Sequence, residues 1–169
     1  ICWSQWVEMV MLELIRNIAC GICKAFGEQE FEAGKPDITF YENDSQLVQK
    51  EMQDLGIAIP MGLWDAGEPY YYTTLWGVKE ATKWIRKVYK FPKYRKARMD
   101  CDDFAILFKG LMSSEFGIND CAIQLGNTPM GYHAFNLVRA EDRRVVVEPQ
   151  TGEVFEVGEK GYQLDRAVL

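Results

Sequence analysis

The sequence predicts an α+β fold, helices first and then an antiparallel β-meander. Three observations predict it. A helical run covers 101–116, with Phe104, Leu107, Phe108 and Leu111 on one side and Gly117 as its stop. Four apolar strand-like runs come after it, at 121–125, 132–138, 144–148 and 153–157. The connections between these runs are turns too short for anything but antiparallel neighbours. With 169 residues, 48% of them apolar and 26% charged, the chain is long enough for one real core and too short for two full-sized ones.

Taken in order, residues 1–26 form the most apolar stretch. Trp3, Val7, Val10, Leu14, Ile18 and Ile22 recur at spacings of three and four, which predicts a helix with one apolar face. That face suits either the core or a partner, including a second copy of the chain in a homo-oligomer. Glu8, Glu13 and Arg16 interrupt the stretch, so no uncharged run approaches the roughly 18–20 residues of a membrane span. No signal-peptide pattern is seen. The five cysteines (Cys2, Cys20, Cys23, Cys101, Cys121) are an odd number and do not read as a disulfide framework, so a reducing, intracellular setting is expected. Cys20 and Cys23 form a CxxC within the apolar helical pattern, where core packing is the plainer reading than redox or zinc chemistry.

A short strand is expected near Ile38 to Tyr41. A helix is expected next at 45–55, capped by Asp44 or Ser45 and ended by Gly56. The stretch 56–73 holds Pro60, Gly62, Gly67 and Pro69 and reads as a loop; a helix from Thr74 to Tyr89 is closed by Pro92. The division expected from these elements is an N-terminal helical segment, 1–60, and a core, 61–169.

Net charge is −6, which speaks against a general nucleic-acid binder. It is unevenly spread. Nine basic residues lie between Lys79 and Arg98 (Lys79, Lys83, Arg86, Lys87, Lys90, Lys93, Arg95, Lys96, Arg98) against one acid, Glu80. Such a stripe is either a solvated face or the contact surface for an anionic partner.

One set of residues has the pattern of a thiol hydrolase. Cys101 opens a helix, where unpaired backbone N–H groups favour a thiolate, while Asp100, Asp102 and Asp103 oppose it. His133, the sole histidine, starts a strand, and the next strand ends at Glu148. If Glu141-Asp142 is a two-residue turn, 140 pairs with 143 and 135 with 148. His133, Phe135, Glu148 and Gln150 then share a face, with Glu148 diagonal to His133. The roles expected are nucleophile for Cys101, base for His133 and orienting carboxylate for Glu148. Tyr94 and Gln124 are candidates for a second oxyanion donor. Gln150, and Trp76 in the aromatic run that begins at Tyr70, are candidate substrate contacts.

Asp100-Cys101-Asp102-Asp103-Phe104-Ala105, Gly131-Tyr132-His133-Ala134-Phe135-Asn136 and Glu148-Pro149-Gln150-Thr151 together resemble the papain-like and transglutaminase-like cysteine enzymes. Within that superfamily the likeness is to the cysteine-protease domain of fairy-ring mushroom agglutinin-type chimerolectins and their bacterial and phage relatives, over residues 70–157. The resemblance implies a hydrolase or acyltransferase forming a thioester on Cys101, with a peptide or protein substrate. It requires no cofactor, although calcium at Asp100, Asp102 and Asp103 is a candidate. The competing expectation is a non-catalytic binding or assembly module that works through the N-terminal helix or the basic 79–98 stripe.

Overall fold

The computed structural model describes residues 34–58 and 69–168. The expected 1–26 helix, the CxxC, Cys2 and most of the 56–73 loop lie outside the described residues. The chain divides into two units, Ile1–Lys35 and Pro36–Leu169, and every described helix and strand belongs to the second.

Among the described residues there are three helices and a seven-stranded sheet, a mixed α/β arrangement. Strand β1 is Phe40–Asn43 and β2 is Tyr70–Thr73; they pair antiparallel. Between them lies α1, Ser45–Asp54, whose cap is Asp44: its carboxylate accepts from Gln46 N–H at 2.7 Å. Helix α2 is Leu75–Tyr89. Thr74 caps it by accepting from Gly77 N–H at 3.0 Å, and Lys90 ends it in the left-handed region. Gly77 is required there, because a Cβ would collide with Thr73 and Ile38. Helix α3 is Cys101–Phe116, and Gly117 ends it at φ 65°, a conformation that costs glycine little.

The meander comes next as β3 (Cys121–Thr128), β4 (Gly131–Ala140), β5 (Arg143–Glu148) and β6 (Glu153–Glu156). Each pairs antiparallel with the next. Two strands were not expected from sequence. Strand β2 lies inside the stretch read as a loop and meets β4 in parallel at Thr73 and Ala140. Strand β7, Gln163–Val168, pairs with β3, and the register slips between Leu125 and Gly126.

Period-two alternation gives the sheet two faces. One carries Cys121, Val138, Ala140, Val145 and Val147 and packs on α2 and α3 through residues such as Ile85, Phe108 and Met112. The other carries Ala122, Phe135, Leu137, Val146 and Phe155 and packs on Met52 of α1. That second face also buries charge. Arg144 Nη1 lies 2.8 Å from Asp120 Oδ1, its Nη2 lies 3.5 Å from Glu51, and Arg139 pairs with Glu51 as well. Asp120 has no solvent exposure.

Removing one partner of such a cluster leaves the other charges buried without compensation. Asp120→Ala is therefore expected to lower unfolding free energy by about 3–5 kcal/mol, read from urea denaturation. Gly126→Ala is expected to cost about 1–3 kcal/mol, because a Cβ there would run into the Gln163 carbonyl where β7 slips.

Candidate functional site

The β4–β5 turn is two residues long. Ala140 pairs with Arg143, and the register continues to Asn136 and Val147. It carries His133 and Glu148 to diagonal positions, where His133 Nε2 and Glu148 Oε2 are 2.8 Å apart. Glu148 is only 3% exposed, and it is well satisfied. Besides His133 it accepts from Gln150 N–H at 3.0 Å and from the Tyr162 hydroxyl at 3.2 Å. Tyr162 sits just before β7 and lies edge-on to His133, Phe135 and Phe155. Sequence reasoning missed Tyr162, which arrives only after β6 and a short 3-10 turn at Glu159–Gly161. Burial, then the Glu148 charge, pushes its phenol up to about 12.

Cys101 opens α3 and is half-buried. Asp103 Oδ2 accepts from Asp100 N–H at 3.2 Å, tightening that helix start. Helix α3 packs on the sheet face that carries Asn136, whose amide donates to Ala105 O at 3.0 Å. His133 alternates to the other face, with Phe135. The structure thus brings His133 and Glu148 together, and among the described residues no hydrogen bond joins Cys101 to His133.

The remaining candidates are scattered. Gln124 is fully buried, with its amide donating to Leu125 O at 2.7 Å. Gln150 lies in the turn after β5, where its carbonyl accepts from Arg86 at 2.8 Å. Trp76, 59% exposed, stands near the start of α2, and Tyr94, 55% exposed, in the loop after it.

Asp100, Cys101 and Asp102 place one ligand atom each within 4.8 Å of one another. Two carboxylates and a thiol fall short of the roughly six to eight oxygens calcium takes. The two carboxyl groups also share a hydrogen bond, which lowers Asp100 and raises Asp102. Asp103 is engaged at the helix start, where it accepts from Asp100 N–H.

The basic stripe is a coherent surface. Lys79, Lys83 and Lys87 succeed one another along the outer face of α2, Lys90 follows at its end, and Lys93, Arg95, Lys96 and Arg98 continue the stripe through an exposed loop. Lys83 is paired with Glu80 at 3.8 Å. Arg86 turns inward to the carbonyls of Pro149 and Gln150. The other seven are exposed, and among the described residues none has an acidic partner within 4 Å.

No protein-family model matches the chain, and no curated protein does. Among solved structures the fold is similar to that of Polyporus squamosus lectin bound to the human-type influenza-binding epitope Neu5Aca2-6Galb1-4GlcNAc. The identity is 17% and the TM-score 0.60, over 76% of this chain and 49% of that one. It is similar also to the PSL1a–E64 complex, at 19% identity and a TM-score of 0.58, over 76% of this chain and 50% of that one. The chain thus spans about half the length of the proteins it matches, and at these identities the likeness is one of fold.

These matches correct the expectation of a papain-like or transglutaminase-like cysteine peptidase. The fold is shared with a protein described as a lectin, not as a cysteine protease. A fold does not by itself carry an activity. No helix among the described residues is long and apolar enough to cross a membrane.

Two titrations check the local chemistry. Burial pushes the Cys121 thiol up to about 12. It is expected to resist iodoacetamide at pH 7–8 in the folded chain and to react once the chain is unfolded in urea, as peptide mapping will show. Between pH 10 and 12 the folded chain keeps the Tyr162 proton that an unfolded tyrosine loses. This residue's contribution to stability therefore declines as pH rises through that window. Denaturation midpoints of the parent should fall more steeply there than those of Tyr162→Phe.

Proposed function

We propose that the chain is a non-catalytic binding module that engages a carbohydrate-bearing partner through the basic 79–98 segment. The observation that carries this reading is the row of seven exposed cations without acidic partners among the described residues, with the exposed ring of Trp76 before it and that of Tyr94 within it. Charges left unpaired on an otherwise acidic molecule focus an attractive field on one strip of surface. Exposed aromatic rings offer apolar faces against which a sugar ring can pack. The likeness to a lectin fold supports a carbohydrate in preference to a peptide.

On this reading Cys101 has no chemical role. Cys101→Ala is expected to bind an oligosaccharide panel, neutral and acidic, with the parent's profile in isothermal titration calorimetry. A variant with Lys93, Arg95, Lys96 and Arg98 all changed to Ser is expected to lose roughly tenfold or more in affinity. If no saccharide of either kind binds the parent, the reading fails.

A further inference from the structure

We infer that the occupant of the basic segment is an extended polyanionic polysaccharide lying along the outer face of α2 and onto the 92–98 loop. The inference rests on the binding-module reading and names the class of ligand.

Three observations carry it. First, the cations form a line. Residues 79, 83 and 87 fall within one quarter of the helix circumference, about 6 Å apart along an axis of about 12 Å, and Lys90 follows at the left-handed helix end. The loop then adds Lys93, Arg95, Lys96 and Arg98 in a run exposed at every residue from Pro92 to Arg98. A line of charge this long matches a chain with repeated anionic groups better than a single acidic sugar, which would meet one or two cations.

Second, the stripe is held firmly. The inner side of α2 is anchored by Val78, Ala81 and Ile85, all fully buried. Arg86 ties it to the turn after β5 through Pro149 and Gln150, and Tyr89 is hydrogen-bonded to Glu115 on α3. A ligand on the outer face therefore meets a preformed row and orders only the lysine side chains.

Third, the surface lacks what a nucleic acid uses. Single strands are held by rings that stack on successive bases as well as by cations. Here the exposed rings, Trp76 and Tyr94, stand near the two ends of the α2 row with none between them on its outer face. The rest of the chain holds ten basic and twenty-four acidic residues, which would repel a wide duplex reaching beyond the strip. A narrow polyanion without bases fits both facts.

The test uses the full chain and fluorescence anisotropy with labelled probes. These are heparin oligosaccharides of four and twelve sugars, polygalacturonate as a carboxylated chain, a dextran oligosaccharide as a neutral chain, and a twenty-nucleotide dT strand. The inference expects the longer heparin to bind at least roughly tenfold tighter than the shorter, with affinity falling steeply with salt. It expects Lys79→Glu/Lys83→Glu/Lys87→Glu to weaken binding roughly tenfold or more, and the neutral Gln triple to weaken it less. Lys50→Glu, on exposed α1 surface, is the control and should stay within about twofold. Polygalacturonate distinguishes carboxylate from sulfate as the group preferred, and binding of either chain supports the inference.

Equal affinity for both heparin lengths, or a Glu triple that stays folded by circular dichroism and binds like the parent, overturns it. Tighter binding of dT than of any polysaccharide, lost in the Glu triple, overturns the ligand class and assigns the stripe to nucleic acid. Salt-independent binding of neutral sugars alone overturns the inference and leaves the binding-module reading standing. No binding of any saccharide overturns both.

Discussion

The second unit depends on a charged cluster buried at one end of its sheet. Asp120, just before β3, meets Arg144 of β5, and Arg144 and Arg139 meet Glu51 of α1. Burial is the larger influence on Asp120 and pushes its carboxyl up, with Arg144 opposing. Such a cluster is a poor source of net stability, since desolvation offsets much of the attraction. What it supplies is alignment. Arg139 N–H donates to Asp120 O at 3.1 Å, Asp120 N–H to Tyr71 O at 3.0 Å, and Glu141 N–H to Thr73 O at 2.9 Å. Arg139 also lies over the Tyr72 ring at 4.7 Å. Four strands and α1 therefore meet where a slip of one residue would leave an ion unpaired.

With that end of the sheet pinned, β4 carries its register to its other end, where Glu148 gathers His133, Gln150 and Tyr162. Three donors on one buried carboxylate make it a structural acceptor at the point where β5 leaves the sheet. The imidazole contributes a donor to this network, and the aromatic rings of Phe135, Phe155 and Tyr162 close around it. The pair that reads from sequence as the acid–base half of a catalytic site also joins β4, β5 and the segment leading into β7.

The parts of this structure that were legible in the sequence are those with local causes. The cap at Asp44 and the stop at Gly117 were readable, because a helix end depends on a few neighbouring residues. So was the His133–Glu148 contact, which a two-residue turn and period-two geometry require. Strand β2 was hidden because Tyr70-Tyr71-Tyr72 comes after a stretch rich in Pro and Gly, and its pairing to β4 is parallel and distant. Strand β7 was hidden by its polar composition, Gln163-Leu164-Asp165-Arg166, and by a partner some forty residues away. The Asp120–Arg144–Glu51 cluster was illegible for the same reason: no local pattern announces that three separated charges share one buried site.

The two sides of the molecule use charge in opposite ways, and the difference bears on function. Around Asp120 the cations are matched with anions inside the protein, so their field is cancelled within a few ångströms. Along α2 most of the cations are left unmatched and face water, where their field reaches about 8–10 Å at ordinary salt. Lys87 lies in the last turn of a helix whose dipole favours positive charge there, which offsets part of the repulsion from its neighbours. The dipole does not account for Lys93, Arg95, Lys96 and Arg98, which lie beyond the helix and have no acidic partner among the described residues. Mutual repulsion among them raises the free energy of the folded chain, offset in part by Asp100, whose carboxylate accepts from Ala97 N–H at 3.0 Å within the same loop. An anion bound along the segment would relieve that repulsion.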